Sequence, residues 1–220
     1  NAPLFAAVES DIVGYTTIMT NAGWNMLGVN FDGLNGAKEA TVTASLNEVL
    51  SGDFSTGDQV QCYDQSTGML VPYSYRDGSW WYGRNSADVR PISSGTAFWL
   101  QTAHPIAVTI KGAVYKQYAE FASELRGYQL VTPDAPLALE LNGNNVTWEN
   151  LSAQDEIQIA DENGRLNVYW YDINAQRWMF GRTPADVTIQ PGQSFWLKTS
   201  NPGVKFSISK KEATSIGGTL

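Results

Sequence analysis

The side chains that could do chemistry are few. His104 is the single histidine and Cys62 the single cysteine, so any Ser-His or Cys-His nucleophile would have to be built around one residue. His104 sits in Thr102-Ala103-His104-Pro105, which reads as a turn between strands, where a hydrogen-bonding side chain is expected without catalysis. One cysteine allows no intrachain disulfide, no Cys-x-x-Cys redox pair and no thiolate zinc cluster, and one histidine gives no imidazole metal site. Carboxylates remain. Asp58, Asp155, Glu140 and Glu149 could supply the acid and base of a glycoside hydrolase, but no spacing singles out two of them. Asp88 and Asp186 occupy equivalent places in an internal repeat, as the paired aspartates of aspartic proteases do, yet each stands in Ala-Asp-Val rather than Asp-Thr-Gly or Asp-Ser-Gly. Asp32-Gly33-Leu34-Asn35-Gly36 and Asp161-Glu162-Asn163-Gly164 cluster oxygen ligands without the distal glutamate of a calcium loop, and read as tight turns. The expectation is a chain that is not an enzyme and uses no cofactor or metal; a carboxylate-dependent hydrolase is a remote alternative.

The elements that would position these residues are organised by a repeat. Asp58-Gln59-Val60-Gln61 recurs as Asp155-Glu156-Ile157-Gln158, and Leu70, Tyr73 and Tyr75 recur as Leu166, Tyr169 and Tyr171. Trp80-Trp81-Tyr82-Gly83-Arg84 returns as Trp178-Met179-Phe180-Gly181-Arg182, with Ala87-Asp88-Val89 returning as Ala185-Asp186-Val187. Gly95-Thr96-Ala97-Phe98-Trp99-Leu100 returns as Gly192-Gln193-Ser194-Phe195-Trp196-Leu197, and Gly23-Trp24 to Leu27 as Gly127-Tyr128 to Val131. These matches divide the chain into two homologous modules, residues 12–111 and 112–209, with terminal tails 1–11 and 210–220. No Pro/Ser/Gly-rich linker separates them, so the modules are expected to pack together.

Within each module, short stretches rich in β-branched and aromatic residues alternate with Gly, Asn and Asp. In the first copy these are residues 14–20, 24–31, 59–63, 69–76, 79–82, 96–101 and 106–110. Asp77-Gly78 is a tight hairpin turn. The fold class is therefore all-β: two tandem small sandwich or barrel modules, each of about seven short strands with one short helix. The helix is placed by Ser45-x-x-Glu48, a capping box ahead of Val49 and Leu50, with Gly52 beyond it, and Glu149 and Leu151 suggest the same in the second copy. Residues 115–126 carry a helical spacing, but their repeat partner reads as strand, which favours strand plus turn.

Only 16% of residues are charged, against about 25% in an ordinary globular domain. With 14 Lys and Arg against 22 Asp and Glu, the net charge of −8 repels polyanions, so no nucleic acid partner is expected. No apolar run reaches the roughly 18 residues of a membrane helix, so no membrane insertion is expected either. The composition and the start at Asn1-Ala2-Pro3 read as the mature part of an exported bacterial protein whose signal peptide has been removed, placing it as secreted, periplasmic or at the cell surface. Nothing in the sequence sets an oligomeric state.

The chain has eight Trp, ten Tyr and eight Phe, more than turns and charge balance need. Phe98, Leu100, Trp24, Phe195 and Leu197 read as core, because their apolar periodicity is retained. Cys62 falls where the second copy has Ile159 and reads as a small buried residue. Trp80, Trp81, Trp170 and Trp178 flank hairpin turns beside arginines, and adjacent strand residues point to opposite faces, so some of these indoles must meet water. With Arg84 and Arg182 they form the candidate contact site. Exposed indoles beside Asn, Gln and Asp can stack on sugars, while aromatics beside Arg also anchor protein contacts.

The rhythm Gly-[Trp/Tyr]-x-[Leu/Met]-[Leu/Val], Asp-x-[Val/Ile]-x-x-[Tyr/Trp], Gly-x-x-Phe-Trp-[Leu/Val] resembles that of a family of uncharacterised exported bacterial β-rich tandem modules. It is carried by Gly23 to Leu27, Asp58 to Tyr63 and Gly95 to Leu100, then Gly127 to Val131, Asp155 to Ala160 and Gly192 to Leu197. Ala160 departs from the pattern, standing where an aromatic is usual. The resemblance implies export; an activity is not implied by it. The function expected is that of a non-catalytic exported interaction or surface protein, its partner a protein or glycan at the cell envelope; a glycan-binding module using exposed Trp platforms is the alternative.

Overall fold

Strands form where β-branched and aromatic residues accumulate, and the chain reverses where glycine can take positive φ. The computed structural model describes residues 13–33, 44–114, 118–123, 125–161 and 163–209, so the expected tails lie outside the described residues. In the N-terminal half these residues form β1 (Val13–Met19), β2 (Gly23–Gly28), the single-turn helix α1 (Leu46–Val49), β3 (Leu50–Ser51), β4 (Gln59–Asp64), β5 (Met69–Arg76), β6 (Ser79–Tyr82), β7 (Asn85–Ser86), β8 (Ala97–Thr102) and β9 (Ala107–Ala113). The C-terminal half has β10 (Tyr118–Ala122), β11 (Gly127–Val131), β12 (Leu139–Glu140), β13 (Val146–Glu149), β14 (Glu156–Ala160), β15 (Leu166–Asp172), β16 (Arg177–Phe180), β17 (Thr183–Pro184), β18 (Thr188–Ile189), β19 (Phe195–Thr199) and β20 (Lys205–Ser209).

The protein is all-β. A six-stranded sheet, β2-β8-β4-β5-β6-β7, is matched by β11-β19-β14-β15-β16-β17, and a three-stranded sheet, β1-β9-β3, by β10-β20-β13. The pair β12-β18 answers to a lone bridge between Ala44 and Ile92. Pairing is antiparallel throughout these sheets. Among the described residues the expected seven strands per half become nine and eleven, because two-residue strands such as β7 and β17 are too short to show a period and β13 forms where a helix was expected.

Two other expectations change, and a third, strand within residues 115–126, holds. Glu149 ends strand β13, paired with Lys205, so the second copy has no helix there; α1 forms in the first copy, where the Ser45 N–H donates to the Glu48 carboxylate at 2.8 Å. The boundary set between residues 111 and 112 falls inside β9, which pairs with β1 as far as Ala113 opposite Val13. Of residues 115–126, Tyr118–Ala122 is strand, while 115–117 and 124 lie outside the described residues.

One core cluster runs from Leu27 to Ile110 and a second from Ala119 to Ile208. A third, smaller cluster joins the halves: Met26, Tyr63, Ala97 and Leu130, backed by Trp99, Ala160 and Trp196. Polar ties reinforce it. Gly28 N donates to Gly192 O at 2.9 Å, Thr132 Oγ1 to Gln193 O at 2.8 Å, and Tyr63 Oη to Tyr128 O at 3.2 Å. Thr132 and Gln193 are both in the C-terminal half, and the bridge between Leu27 and Gln193 brings β2 against them.

Candidate functional site

Trp80 and Trp178 are 1% and 0% exposed, which removes both from the expected contact site. The cause is strand phase. Trp80 lies opposite Tyr75 and Trp178 opposite Tyr171, on the face that packs into each core. Trp80 is wedged edge-on by Phe54 at 5.0 Å and Tyr75 at 5.1 Å, and Trp178 by Trp148 at 5.1 Å and Tyr171 at 5.4 Å. Each buried indole is also held by an asparagine that the repeat pattern did not single out. The Asn47 Oδ1 accepts from Trp80 N at 2.7 Å and the Asn142 Oδ1 from Trp178 N at 2.8 Å. Their amide groups donate back to the Trp80 and Trp178 carbonyls at 3.3 and 3.0 Å.

Trp81 and Trp170 stay at the surface, Trp81 half-buried and Trp170 39% exposed. Trp81 stands on β6 opposite Ser74 of β5, and Trp170 on β15 opposite Met179 of β16. Repeat partners Ser74 and Trp170, and Trp81 and Met179, have thus exchanged the indole across one strand pair. Both N–H groups are taken by backbone: Trp81 Nε1 donates to Arg76 O at 3.1 Å, and Trp170 Nε1 to Gly181 O at 3.2 Å. The Arg76 guanidinium stacks 4.5 Å over the Trp81 ring and donates to Gly83 O at 2.9 Å. Arg84 and Arg182 are exposed, each at the second position of a two-residue hairpin turn whose first position, Gly83 or Gly181, has φ of 60°.

Residues directly opposed across antiparallel strands share a face, so the pairings define a surface row. In the N-terminal half it reads Trp81, Ser74, Gln59, Gln101, Trp24. It crosses four strand spacings, about 19 Å. In the C-terminal half it reads Met179, Trp170, Glu156, Lys198, Tyr128. Trp24, expected in the core, is 41% exposed and Tyr128 49%; Phe98, Leu100, Phe195 and Leu197 are buried as expected. Trp24 meets Trp99 at 6.4 Å and 89°, and Tyr128 meets Trp196 at the same distance and angle. Trp99 and Trp196 therefore serve two contacts, backing the cluster between the halves and supporting an exposed ring.

The rows differ in charge. The five residues of the first carry none. In the second, Lys198 Nζ pairs with Glu156 at 3.1 Å and lies 5.7 Å from the Tyr128 ring centre. The Glu156 hydrogen bond raises the Lys198 pKa, against a smaller desolvation effect. Gln158 Nε2 donates to Tyr128 Oη at 3.3 Å. On β15, Leu166, Val168 and Trp170 share this face and are 43%, 44% and 39% exposed.

Three of the carboxylates that could have formed a catalytic pair, Asp58, Asp155 and Asp88, make hydrogen bonds within the fold. Asp58 accepts from the backbone N–H groups of Ser55 at 2.8 Å and Ala103 at 3.0 Å. Asp155 accepts likewise from Ser152 at 2.8 Å and Ser200 at 2.7 Å. The Asp-x-[Val/Ile]-Gln motif is thus a tie between two loops in each half. Asp88 accepts from the Ser86 hydroxyl at 2.7 Å and the Asn47 amide at 3.2 Å at the start of a 3-10 turn. His104 is exposed, its Nε2 3.2 Å from Ser55 Oγ, and the adjacent Asp58 oxygens are turned to backbone N–H groups. Asp161 accepts from Asn163 N at 2.8 Å and Arg165 N at 2.9 Å, as a turn residue does. Cys62 is buried, and burial pushes its thiol up to about 12 against a smaller opposing effect of the Arg90 charge. Among the described residues, no three His, Cys, Asp or Glu side chains are grouped to hold a metal, and no helix is long and apolar enough to cross a membrane.

No protein-family model, curated protein or solved structure matches the chain.

Proposed function

We propose that the protein is a non-catalytic, exported binding protein made of two duplicated modules, and that its ligand is a neutral glycan at the cell envelope. The observation that carries this reading is the uncharged row Trp81, Ser74, Gln59, Gln101, Trp24. Trp24, 41% exposed, offers a flat apolar surface to a sugar ring, the amides of Gln59 and Gln101 offer both donors and acceptors to its hydroxyls, and at the far end Trp81 adds an indole edge beside the Arg76 guanidinium stacked on its ring. The duplication rests on the repeated motifs and on the equal strand orders of the two halves. Export rests on the composition and on the resemblance of the motifs.

A second reading, contact with a protein, is favoured by the apolar trio Leu166, Val168 and Trp170 on β15. Glycan arrays followed by titration of tryptophan fluorescence separate the two. The glycan reading expects saturable binding to a neutral polysaccharide, weakened about tenfold or more by Trp24→Ala or Trp81→Ala and unchanged by Trp170→Ala, with far-UV spectra intact. Silence across the array, or binding that survives both substitutions, rejects it.

A further inference from the structure

The halves meet in two equivalent places, and only one is closed. In the closed place Gly192 lies against β1, so near that a Cβ on it would stand 2.6 Å from Ile18 Cδ1 and 2.7 Å from Thr16 Cγ2. Thr16 Oγ1 donates to Pro191 O at 3.4 Å, and Gly192 N donates to the Asn30 side-chain oxygen. By repeat position, Gly95 corresponds to Gly192 and Asp134 to Asn30. By strand pairing, Phe121 opposite Phe206 corresponds to Ile18 opposite Val108, and Ala119 opposite Ile208 to Thr16 opposite Ile110.

Each closing contact is diverted at the second place. Phe121 stacks on Phe206 of its own half at 5.3 Å and 21°. Ala119 has no hydroxyl to donate. Asp134 Oδ1 accepts from Glu120 N at 2.9 Å, and Gly95 N donates to Val29 O at 2.7 Å within its own half. What remains is a crevice of about 520 Å³ walled by both halves, within the size range of small-molecule sites.

We infer that this crevice binds a free saccharide of one or two rings. Asp64, Glu120 and Asp134 line it against one guanidinium, Arg90, which itself pairs with Asp64 at 3.6 Å, so an anion is repelled. Hydroxyl and carboxylate groups penalise a wholly apolar ligand, which would strip their water without replacing it. A polyhydroxylated ring suits what is there: the Ser93 and Thr96 hydroxyls both donate and accept, the carboxylates accept and Arg90 donates. These residues are separate from the sheet-face row, so the crevice and the row stand or fall apart.

The test is calorimetric titration of the full chain with aldohexoses, aldopentoses, N-acetylhexosamines and their disaccharides at millimolar concentration. Ala122, exposed on β10, lines the crevice, and Ala122→Trp fills it from outside the core. The expected result is one-to-one binding of at least one sugar, abolished by Ala122→Trp, weakened about tenfold by Glu120→Gln and unchanged by Trp24→Ala or Trp81→Ala. Should Ala122→Trp fail to fold by far-UV spectroscopy, Glu120→Gln decides. No binding across the panel, or binding that survives both crevice substitutions, overturns the inference. Binding lost only with the sheet-face tryptophans also overturns it and assigns the sugar to the row.

Discussion

Replacing Asn142 by alanine removes the group that holds the buried Trp178 hairpin. The Asn142 side chain accepts from Trp178 N at 2.8 Å and donates to Trp178 O at 3.0 Å and Ala185 O at 2.9 Å. Trp178 O keeps a second partner, Ala185 N at 2.9 Å, so the groups stranded by Asn142→Ala are the Trp178 N–H and the Ala185 carbonyl. An unsatisfied buried group costs about 1–3 kcal/mol, and two of them give about 3 kcal/mol. At roughly 2–4 °C per kcal/mol for a chain of this size, Tm falls by about 6–12 °C. Urea unfolding followed by far-UV circular dichroism, with calorimetry for Tm, reads the change; the slope of free energy on urea should stay as in the parent. Asn142→Asp is the sharper comparison. It keeps the acceptor for Trp178 N but sets a carboxylate oxygen against two carbonyls, so at neutral pH it is less stable than Asn142→Ala. Its folded-state pKa is thereby raised, and the deficit narrows as pH is lowered and the carboxyl becomes a donor. Asn47→Ala strands the Trp80 N–H, while its other bonds, to Trp80 O at 3.3 Å and Asp88 Oδ1 at 3.2 Å, are longer, so it should cost less than Asn142→Ala, and the two losses should add, since the sites share no partner. A loss under about 1 kcal/mol for Asn142→Ala, or an aspartate variant more stable than alanine at neutral pH, refutes the reasoning.

Two further predictions concern titratable groups. Because burial pushes the Cys62 thiol up to about 12 and the thiolate is the reactive form, iodoacetamide at mildly alkaline pH should leave the native protein unlabelled and modify it once in urea; labelling of native protein at the rate of a free thiol would contradict this. The Lys198 pKa is raised by its hydrogen bond to Glu156, so the pair's stability contribution is present below the ordinary lysine range and lost as pH rises through the raised value. The pair is partly exposed, at 37% and 28% of the two side chains, and its worth is under about 1 kcal/mol. Glu156→Gln should cost no more than that at neutral pH and flatten the alkaline limb; an unchanged limb speaks against the coupling.

The repeat, the all-β class, the capping box at Ser45 and Glu48, the Asp77-Gly78 turn and the burial of Cys62 were legible because each has a local cause in residue type or spacing. Strand phase at the tryptophans was not. In Trp80-Trp81-Tyr82 every residue is aromatic, so a period of two has no contrast from which to tell the core face from the outer one. Asn47 and Asn142 escaped for another reason. Asn47 lies in α1 and Asn142 in a turn after β12, 95 positions apart rather than the 97 or 98 of the motifs that follow, and only the hydrogen bonds to Trp80 and Trp178 show that they are equivalent. A signal for the buried indoles was present all the same: Trp80 and Trp178 are the same residue in both copies, whereas Trp81 answers to Met179 and Trp170 to Ser74.

That contrast bears on function. A core position must keep its volume, because an interior at crystal-like density tolerates little change in size, and Trp80 and Trp178 are kept. A strand position on the outer face is under no such demand, and there the indole has moved between neighbouring strands, from β6 in one half to β15 in the other. Yet it occupies the same row of the face and surrenders its N–H to backbone in both cases, through different carbonyls, Arg76 O and Gly181 O. Gly83 O, the counterpart of Gly181 O, is occupied by the Arg76 guanidinium that covers Trp81. The two halves thus place an indole at adjacent positions of one row by different local solutions, and packing alone, which any apolar side chain would satisfy, requires neither.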